Sequence, residues 1–541
     1  MKRKSGISLI VLVVTIIVMI IISGAVIITL TATNVIDQAE NATAKYNKQQ
    51  YKVMIGNEYA IIKTSEDAKA KTTEEKYLML KDKMNLKELN WTITQNIAYI
   101  EVNSEYILTL FEDGTIKEGK IVILDIANGS IELYEKGYIQ GQTVLGGTDG
   151  TQFSAKGEFV EFSGNYIITG TSNENMVKIT EKGTYNITLK DLHIDSSSIK
   201  TCCAFNANRG GKKTDLYVNI YLEGENTLKS GYSAAGLGFS KGEANMKEFP
   251  NASRLTIQGD GSLYAEGGTY SAGIGSGYTG WDSAGGEANN IIINSGNITA
   301  QSGGSDCAGI GGGLRQNANN IIINGGNVVA ISTRSNAIGT TSRDGTGTLK
   351  NLEINGGNIT AVAGEYGSAI GGETGSGNIK ITGGVLNFRS NSPYATNYSI
   401  LGHKINQITI TGGTIICTTK KGSGIGTKDI TKNINITGGS IYLNVKGEKY
   451  AVSPISGQNN VYLAELQLQN VTEEVKVTSF VTSDNIDYGI KDMYTTVDGK
   501  LYLYLPTGER TITIVTGDKE YTGTVVTGEA DATEVVVLSE K

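Results

Sequence analysis

The chain has 541 residues, of which 70 are glycine and only 4 are proline, 4 cysteine, 2 histidine and 2 tryptophan. Glycine is close to double its usual ~7% share, but no every-third-residue period accompanies it, so a collagen-like chain is excluded; cysteine is too sparse for a disulfide scaffold, and 39% hydrophobic residues rich in Ile, Val and Thr exclude a disordered low-complexity chain. Lys plus Arg is 47 and Asp plus Glu is 54, so the net charge is 47 − 54 = −7, which argues against nucleic acid as a partner, and two histidines leave little material for His-dependent catalysis.

The chain opens Met1-Lys2-Arg3-Lys4-Ser5-Gly6, a basic leader over residues 1–6. An uncharged apolar run follows over 7–30. At 1.5 Å per residue it reaches about 36 Å, enough to cross a bilayer core. The basic residues precede it, so positive-inside logic leaves everything after about residue 31 outside the cell. The run is too long for the core of a cleaved secretory signal. Helical periodicity continues through Val35, Ile36, Ala39, Ala42, Tyr46, Val53, Ile55, Tyr59 and Ile62, and no proline interrupts 34–63. One helix over 7–63, half membrane and half amphipathic, is expected.

The segment Lys4-Ser5-Gly6-Ile7-Ser8-Leu9-Ile10 resembles the leader of type IV prepilins and pseudopilins. That resemblance implies cleavage between Gly6 and Ile7 by a prepilin peptidase, with other pilin-like subunits as partners. It departs from the pattern at the fifth mature position, where Val11 stands in place of the usual glutamate. In the family that acid pairs with a neighbour's N-terminus during assembly. A plain signal anchor with a stalk helix is the other reading.

Residues 64–120 read as a linker and a small α+β cap. A helix is expected over 74–86, then alternating runs such as Tyr106-Ile107-Leu108-Thr109-Leu110, with a hairpin turn at Asp113-Gly114.

From about residue 185 the sequence repeats. Ile291-Ile292-Ile293-Asn294-Ser295-Gly296, Ile321-Ile322-Ile323-Asn324-Gly325-Gly326, Leu352-Glu353-Ile354-Asn355-Gly356-Gly357 and Ile379-Lys380-Ile381-Thr382-Gly383-Gly384 are successive copies, and two more end at Ile410 and Ile436. Three degenerate copies, ending at Leu189, Leu222 and Ile257, precede them. Each unit holds three short strands: an alternating first strand, a Gly-Gly corner, an alternating second strand, and an Ala-Gly-Ile-Gly third strand. Strands with period two, repeated every 26–36 residues, predict a mainly β chain with a parallel β-helix of about nine turns over 121–460. Asn294, Asn324, Asn355, Thr382, Thr411 and Thr437 align as corner ladders. Ile274, Ile310, Ile338, Ile370 and Ile425 align in the third strand with Leu237 and Leu401. Cys417 falls on an inward register. The four cysteines, Cys202, Cys203, Cys307 and Cys417, read as core residues, with a vicinal disulfide as the other reading of Cys202-Cys203. After the repeats, alternating runs at 501–505, 511–515 and 535–538 predict a small β-sandwich over 461–541.

Catalytic motifs are sparse. No Asp-Asp pair exists for a paired-carboxylate hydrolase, and Gly402-His403-Lys404 lacks the companions such a site needs. The acids of the repeats, Asp260, Asp282, Asp306, Glu353, Glu365 and Glu373, are scattered. No phosphate loop, zinc motif or dinucleotide fingerprint is present. The chain is therefore not expected to be an enzyme, a polysaccharide lyase or hydrolase being the lesser alternative. Tyr264, Tyr270, Tyr278 and Trp281 gather around the longest corner insertion and are the candidate ligand-binding residues, since aromatic faces stack on sugars; a loop pinned by its own aromatics is the plainer reading.

Tyr166-Ile167-Ile168-Thr169-Gly170, Gly183-Thr184-Tyr185-Asn186-Ile187-Thr188-Leu189, Asn226-Thr227-Leu228-Lys229-Ser230-Gly231 and the repeated Ala-Gly-Ile-Gly and Ile-Thr-Gly-Gly resemble a family of bacterial surface β-helix proteins. The resemblance spans about 120–450. It implies a pectate-lyase-like fold, binding of acidic, pectin-like polysaccharide, and calcium assistance whose ligands do not map onto this chain. The expectation is a cell-surface, membrane-anchored carbohydrate-binding protein or adhesin. A pilin-like filament component is the alternative.

Overall fold

The computed structural model describes residues 49–85, 89–93, 97–103, 106–146, 152–179, 181–199, 202–207, 216–241, 253–278, 287–304, 306–341, 347–373, 377–390, 399–419, 423–426, 433–445, 461–484, 494–527 and 536–540. The leader with Gly6 and Ile7, the apolar run 7–30 and Trp281 lie outside them. No helix among the described residues is long and apolar enough to cross a membrane. The chain divides into two compact units, residues 1–121 and 122–541.

In the first unit a helix runs through the described residues 49–64. Ile55, Tyr59 and Ile62 recur at steps of four and three, and all three are buried. A second helix, Thr73–Met84, starts at a capping box in which Thr72 and Glu75 satisfy each other's backbone N–H groups. It ends at Asn85 in the left-handed conformation. Four antiparallel strands follow, Asn90–Ile93, Ile97–Asn103, Tyr106–Phe111 and Ile116–Asp125. The inward residues Ala98, Ile100, Leu108 and Leu110 join the buried helix faces in one apolar cluster. Within it Tyr59 stacks on Tyr77 at 5.2 Å, and the Tyr77 hydroxyl donates to Leu110 O at 3.3 Å. The hairpin turn falls at Asp113-Gly114, where the Asp113 carboxylate accepts from Thr115 N at 2.7 Å and Gly114 takes φ 95°.

The second unit is mainly β and built on three rows of parallel strands, consistent with a β-helix. The first row runs from the early parts of Gly164–Ser172 and Gly183–Asp195, through Leu216–Glu223 and Ser253–Gly259, to Asn433–Ile436. The second starts in the later parts of the same two strands and continues through Glu225–Lys229 and Ser262–Glu266 to Ser440–Val445. The third begins at Ser130–Tyr134 and Val177–Ile179 and proceeds by two-residue strands such as Leu237–Gly238, Ile274–Gly275 and Ile310–Gly311 to Ser423–Ile425.

Register follows side-chain chemistry. Phe205, Leu237, Ile274, Ile310, Ile338, Ile370, Leu401 and Ile425 pair in sequence down the third row. Ala265, Ala300, Ala330, Ala361, Phe388 and Cys417 do the same in the second. All are buried in one continuous cluster. All four cysteines are buried thiols, outside any disulfide. The first row differs from the expected alignment. Ile187, Ile220 and Ile257 share a column, whereas Leu189 and Leu222, the residues the repeat count aligned with Ile257, sit two residues further along. In Gly183–Asp195 a bulge between Lys190 and Leu192, with Asp191 at φ 49°, follows Leu189; Leu216–Glu223 carries no bulge against Ser253–Gly259 and ends at Gly224, φ 64°. Later coils turn directly after the isoleucine, on an Asn-Ser-Gly corner at 294–296, Asn-Gly-Gly at 324–326 and 355–357, and Thr-Gly-Gly from Thr382 on.

At that corner the first four of the six expected positions, Asn294 to Thr382, form a ladder. Asn324 Nδ2 donates to Asn294 Oδ1 at 2.8 Å, Asn355 Nδ2 to Asn324 Oδ1 at 2.9 Å, and Thr382 Oγ1 to Asn355 Oδ1 at 2.8 Å.

Six C-terminal strands, Val461–Leu468, Ser479–Thr482, Lys500–Pro506, Gly508–Thr516, Lys519–Thr527 and Val536–Glu540, pair mostly antiparallel, with one parallel contact between the first and last. Lys500–Pro506 also pairs antiparallel with Ser440–Val445, the last rung of the second row. Ile416 and Tyr442 on the outer face of that row are 1% exposed, packed with Leu466, Leu505, Ile512, Ile514 and Tyr521.

Candidate functional site

The candidate tyrosines separate into two places. Tyr264 sits mid-strand in Ser262–Glu266 and faces outward, because the neighbouring Leu263 and Ala265 point into the core. Its column on the second row holds His193, Thr227 and Thr299. The next column holds Asp195, Lys229, Glu266 and Gln301. Lys229 Nζ lies 3.9 Å from both Asp195 Oδ2 and Glu266 Oε2 and 5.8 Å from the centre of the Tyr264 ring. The Tyr264 hydroxyl donates to Glu266 Oε2 at 2.9 Å. Burial, with the Glu266 carboxylate beside it, pushes the Tyr264 phenol up to about 12. Hydrogen bonds from Ser197 hold the Asp195 carboxyl below its ordinary value, and Lys229 adds to this. A phenol so strongly held in its neutral form donates hydrogen bonds and does not take up protons.

Tyr270 and Tyr278 come together elsewhere, at the corner leading into the third row. Their rings lie 5.5 Å apart, and Tyr232 from the preceding coil meets Tyr270 edge-on at 5.6 Å. Tyr232 is 43% exposed, so the cluster opens to solvent. The backbone is strained here. Tyr270 has φ 72° and Ser233, its equivalent one coil earlier, φ 65°. A bulky residue in the left-handed region persists only where its surroundings hold it. Two hydrogen bonds do so: Tyr278 N donates to Ser233 O at 3.1 Å and Leu314 N to Tyr270 O at 2.9 Å. Sequence reasoning missed Tyr232, because it lies outside the long insertion and only the coil register brings it to Tyr270.

Among the described residues the acids of the repeats do not converge, Asp282 lying outside them. Glu353 pairs with Lys380 at 2.7 Å, the buried Glu373 with Lys404 at 2.6 Å, and Glu287 with Lys350 at 3.6 Å. Among the described residues, no group of three or more His, Cys, Asp or Glu is placed to hold a metal ion. The described residues therefore do not fit a calcium site built of carboxylates. No known family, curated protein or solved structure matches the chain.

Proposed function

We propose that the chain is a cell-surface carbohydrate-binding protein, a parallel β-helix carried on an N-terminal membrane helix and closed by a small C-terminal β-sandwich. The observation that carries this is the cluster of Tyr232, Tyr270 and Tyr278 on an outer corner of a rigid stack. Ring faces fixed on stacked backbone lose little freedom on binding and offer flat apolar surface with hydroxyl donors, which suits sugar rings. The lysine partners of Glu353, Glu373 and Glu287 favour a non-catalytic role for those acids. A glycan array probed with the full-length protein in detergent tests the reading. Binding to a polysaccharide, reduced at least about tenfold by Tyr270→Ala, supports it; no binding to any glycan rejects it.

A second reading has its own support. The amphipathic helix over 49–64 lays Ile55, Tyr59 and Ile62 onto an antiparallel sheet, so it belongs to a folded unit and is more than a bare stalk. A pilin-like subunit, trimmed between Gly6 and Ile7, fits that arrangement. Mass spectrometry of the mature N-terminus decides: a chain starting at Ile7 supports processing, and an intact Met1 excludes it.

A further inference from the structure

We infer that the C-terminal strands hold a binding site of their own, and that it takes a small zwitterion of the amino-acid or dipeptide type. The site is separate from the tyrosine cluster and does not depend on the carbohydrate reading. Between Val461–Leu468 and Ser479–Thr482 the chain makes a loop, and between Gly508–Thr516 and Lys519–Thr527 it makes a tight turn at Gly517, φ 58°. Loop and turn line one cleft of about 470 Å³, a volume within the range of small-molecule sites. Its walls are fixed. Thr478 N and Thr478 Oγ1 both donate to Val515 O, at 2.7 and 3.1 Å. Val475 N donates to Thr495 Oγ1 at 3.0 Å, and Thr495 N donates back to Val475 O at 2.9 Å. Val477, on the same loop, is 1% exposed and packs in the apolar cluster of the C-terminal strands. A ligand therefore meets a formed cleft and has little to order on entering.

The lining holds two buried hydroxyls and two charges that the protein itself leaves unused. Thr516 is 8% exposed and Tyr521 1%, and neither side chain has a hydrogen-bond partner among the described residues. Buried hydroxyls nearly always have one. Glu473 and Lys476 line the same cleft, three residues apart, yet no ion pair joins them to each other or to another described residue. Other charges of these strands are matched: Lys500 meets Glu465 at 2.7 Å, and Lys519, which also lines the cleft, meets Glu540 at 3.2 Å. A purely anionic ligand would satisfy Lys476 and be repelled by Glu473, and a purely cationic one would do the reverse. A molecule with an ammonium at one end and a carboxylate at the other satisfies both, and the hydroxyls of Thr516 and Tyr521 donate to its remaining oxygens.

The test is calorimetric titration of the full-length protein in detergent, with the standard amino acids, glycylglycine and alanylalanine as probes. The expected result is binding of at least one probe with Kd below about 1 mM. Acetylating its amino group or amidating its carboxyl each weakens binding about tenfold. Raising salt from about 0.01 to about 1 M weakens it too, because both charges lie at the surface. The variants assign the ends. In Glu473→Gln the acetylated probe binds as well as the free one, and in Lys476→Gln the amidated probe does. Both side chains are exposed, so each variant melts at the temperature of the parent protein. Thr516→Val removes a buried hydroxyl and weakens binding independently of charge. Failure of every probe, an acetylated or amidated probe that binds the parent protein as tightly as the free one, or binding indifferent to both Glu473→Gln and Lys476→Gln overturns the inference. Each of these results leaves the carbohydrate reading standing, since glycan binding at the tyrosine cluster is measured separately.

Discussion

Gly339, in the third row, shows how little room the stack leaves for a single side chain. It adopts φ 127°, and a Cβ there would lie 2.0 Å from Gly371 O on the next coil. Gly304 has a similar φ of 103°, but its Cβ would meet nothing within 4 Å. The pair separates conformational strain from collision. Gly304→Ala should cost about 1–2 kcal/mol, the penalty of the backbone region alone. Gly339→Ala should cost more, about 3–5 kcal/mol, because the coils must part. Denaturant unfolding of the two variants measures the difference, and equal costs would mean the coils separate freely. The thiols report the same tightness. Burial pushes Cys202 up to about 11 and Cys203 up to about 12. A folded-state pKa raised above the unfolded value of about 8.5 gives stability that is complete below that value and is lost as pH climbs toward the folded one. Stability should therefore fall between about pH 9 and pH 12, and iodoacetamide at about pH 8 should modify the cysteines only after unfolding. The inward place of Cys417 was legible from sequence, because alternation in a short strand leaves one choice of face. The register of Leu189 was not, because the bulge at Asp191 lies between Lys190 and Leu192 and no glycine announces it.

Among the elements, the corner that opens on Asn or Thr and ends in glycine matters most, since it joins the first and second rows on every coil from Asn294 to Gly439. Asn324 is its central rung, donating to Asn294 and accepting from Asn355. Asn324→Ala removes both bonds and should cost about 1 kcal/mol, the usual net worth of partly exposed hydrogen bonds. Asn324→Thr should cost less, because threonine already serves at the equivalent place, where Thr382 donates to Asn355. If the two substitutions lower the melting temperature equally, the ladder is ornamental. The ladder was legible because it repeats with the isoleucines. The tyrosine corner was legible only in part. Tyr270 and Tyr278 lie close in sequence, but Tyr264 points to another face, and Tyr232 belongs to the preceding coil. Its meeting with Tyr270 depends on how many residues the intervening loop contains, which no local pattern reveals.

For the molecule as a whole, the question is how a stack of parallel strands ends. Each coil contacts chiefly its neighbours, so stability is close to a sum of coil and interface contributions, and an uncovered terminal coil frays first. Ser440–Val445 would present an open edge, and beside it the outer face of the second row carries Ile416 and Tyr442, residues that water would not tolerate. The C-terminal strands solve both problems. Lys500–Pro506 pairs with the edge, while Leu466, Ile512, Ile514 and Tyr521 cover the two side chains. The Tyr442 hydroxyl donates to Tyr494 O within the same cover. Removing residues 461–541 should therefore do local harm. Hydrogen exchange should accelerate in Thr414–Thr419 and Ser440–Val445, and the truncated chain should self-associate through the exposed edge. Exchange in coils far from that end, such as Leu216–Glu223 and Ser253–Gly259, should stay slow, because their partners are untouched. Uniform acceleration through every coil would show instead that the rows unfold as one cooperative body. The C-terminal module would then be part of the fold's nucleus and not a lid on its last rung.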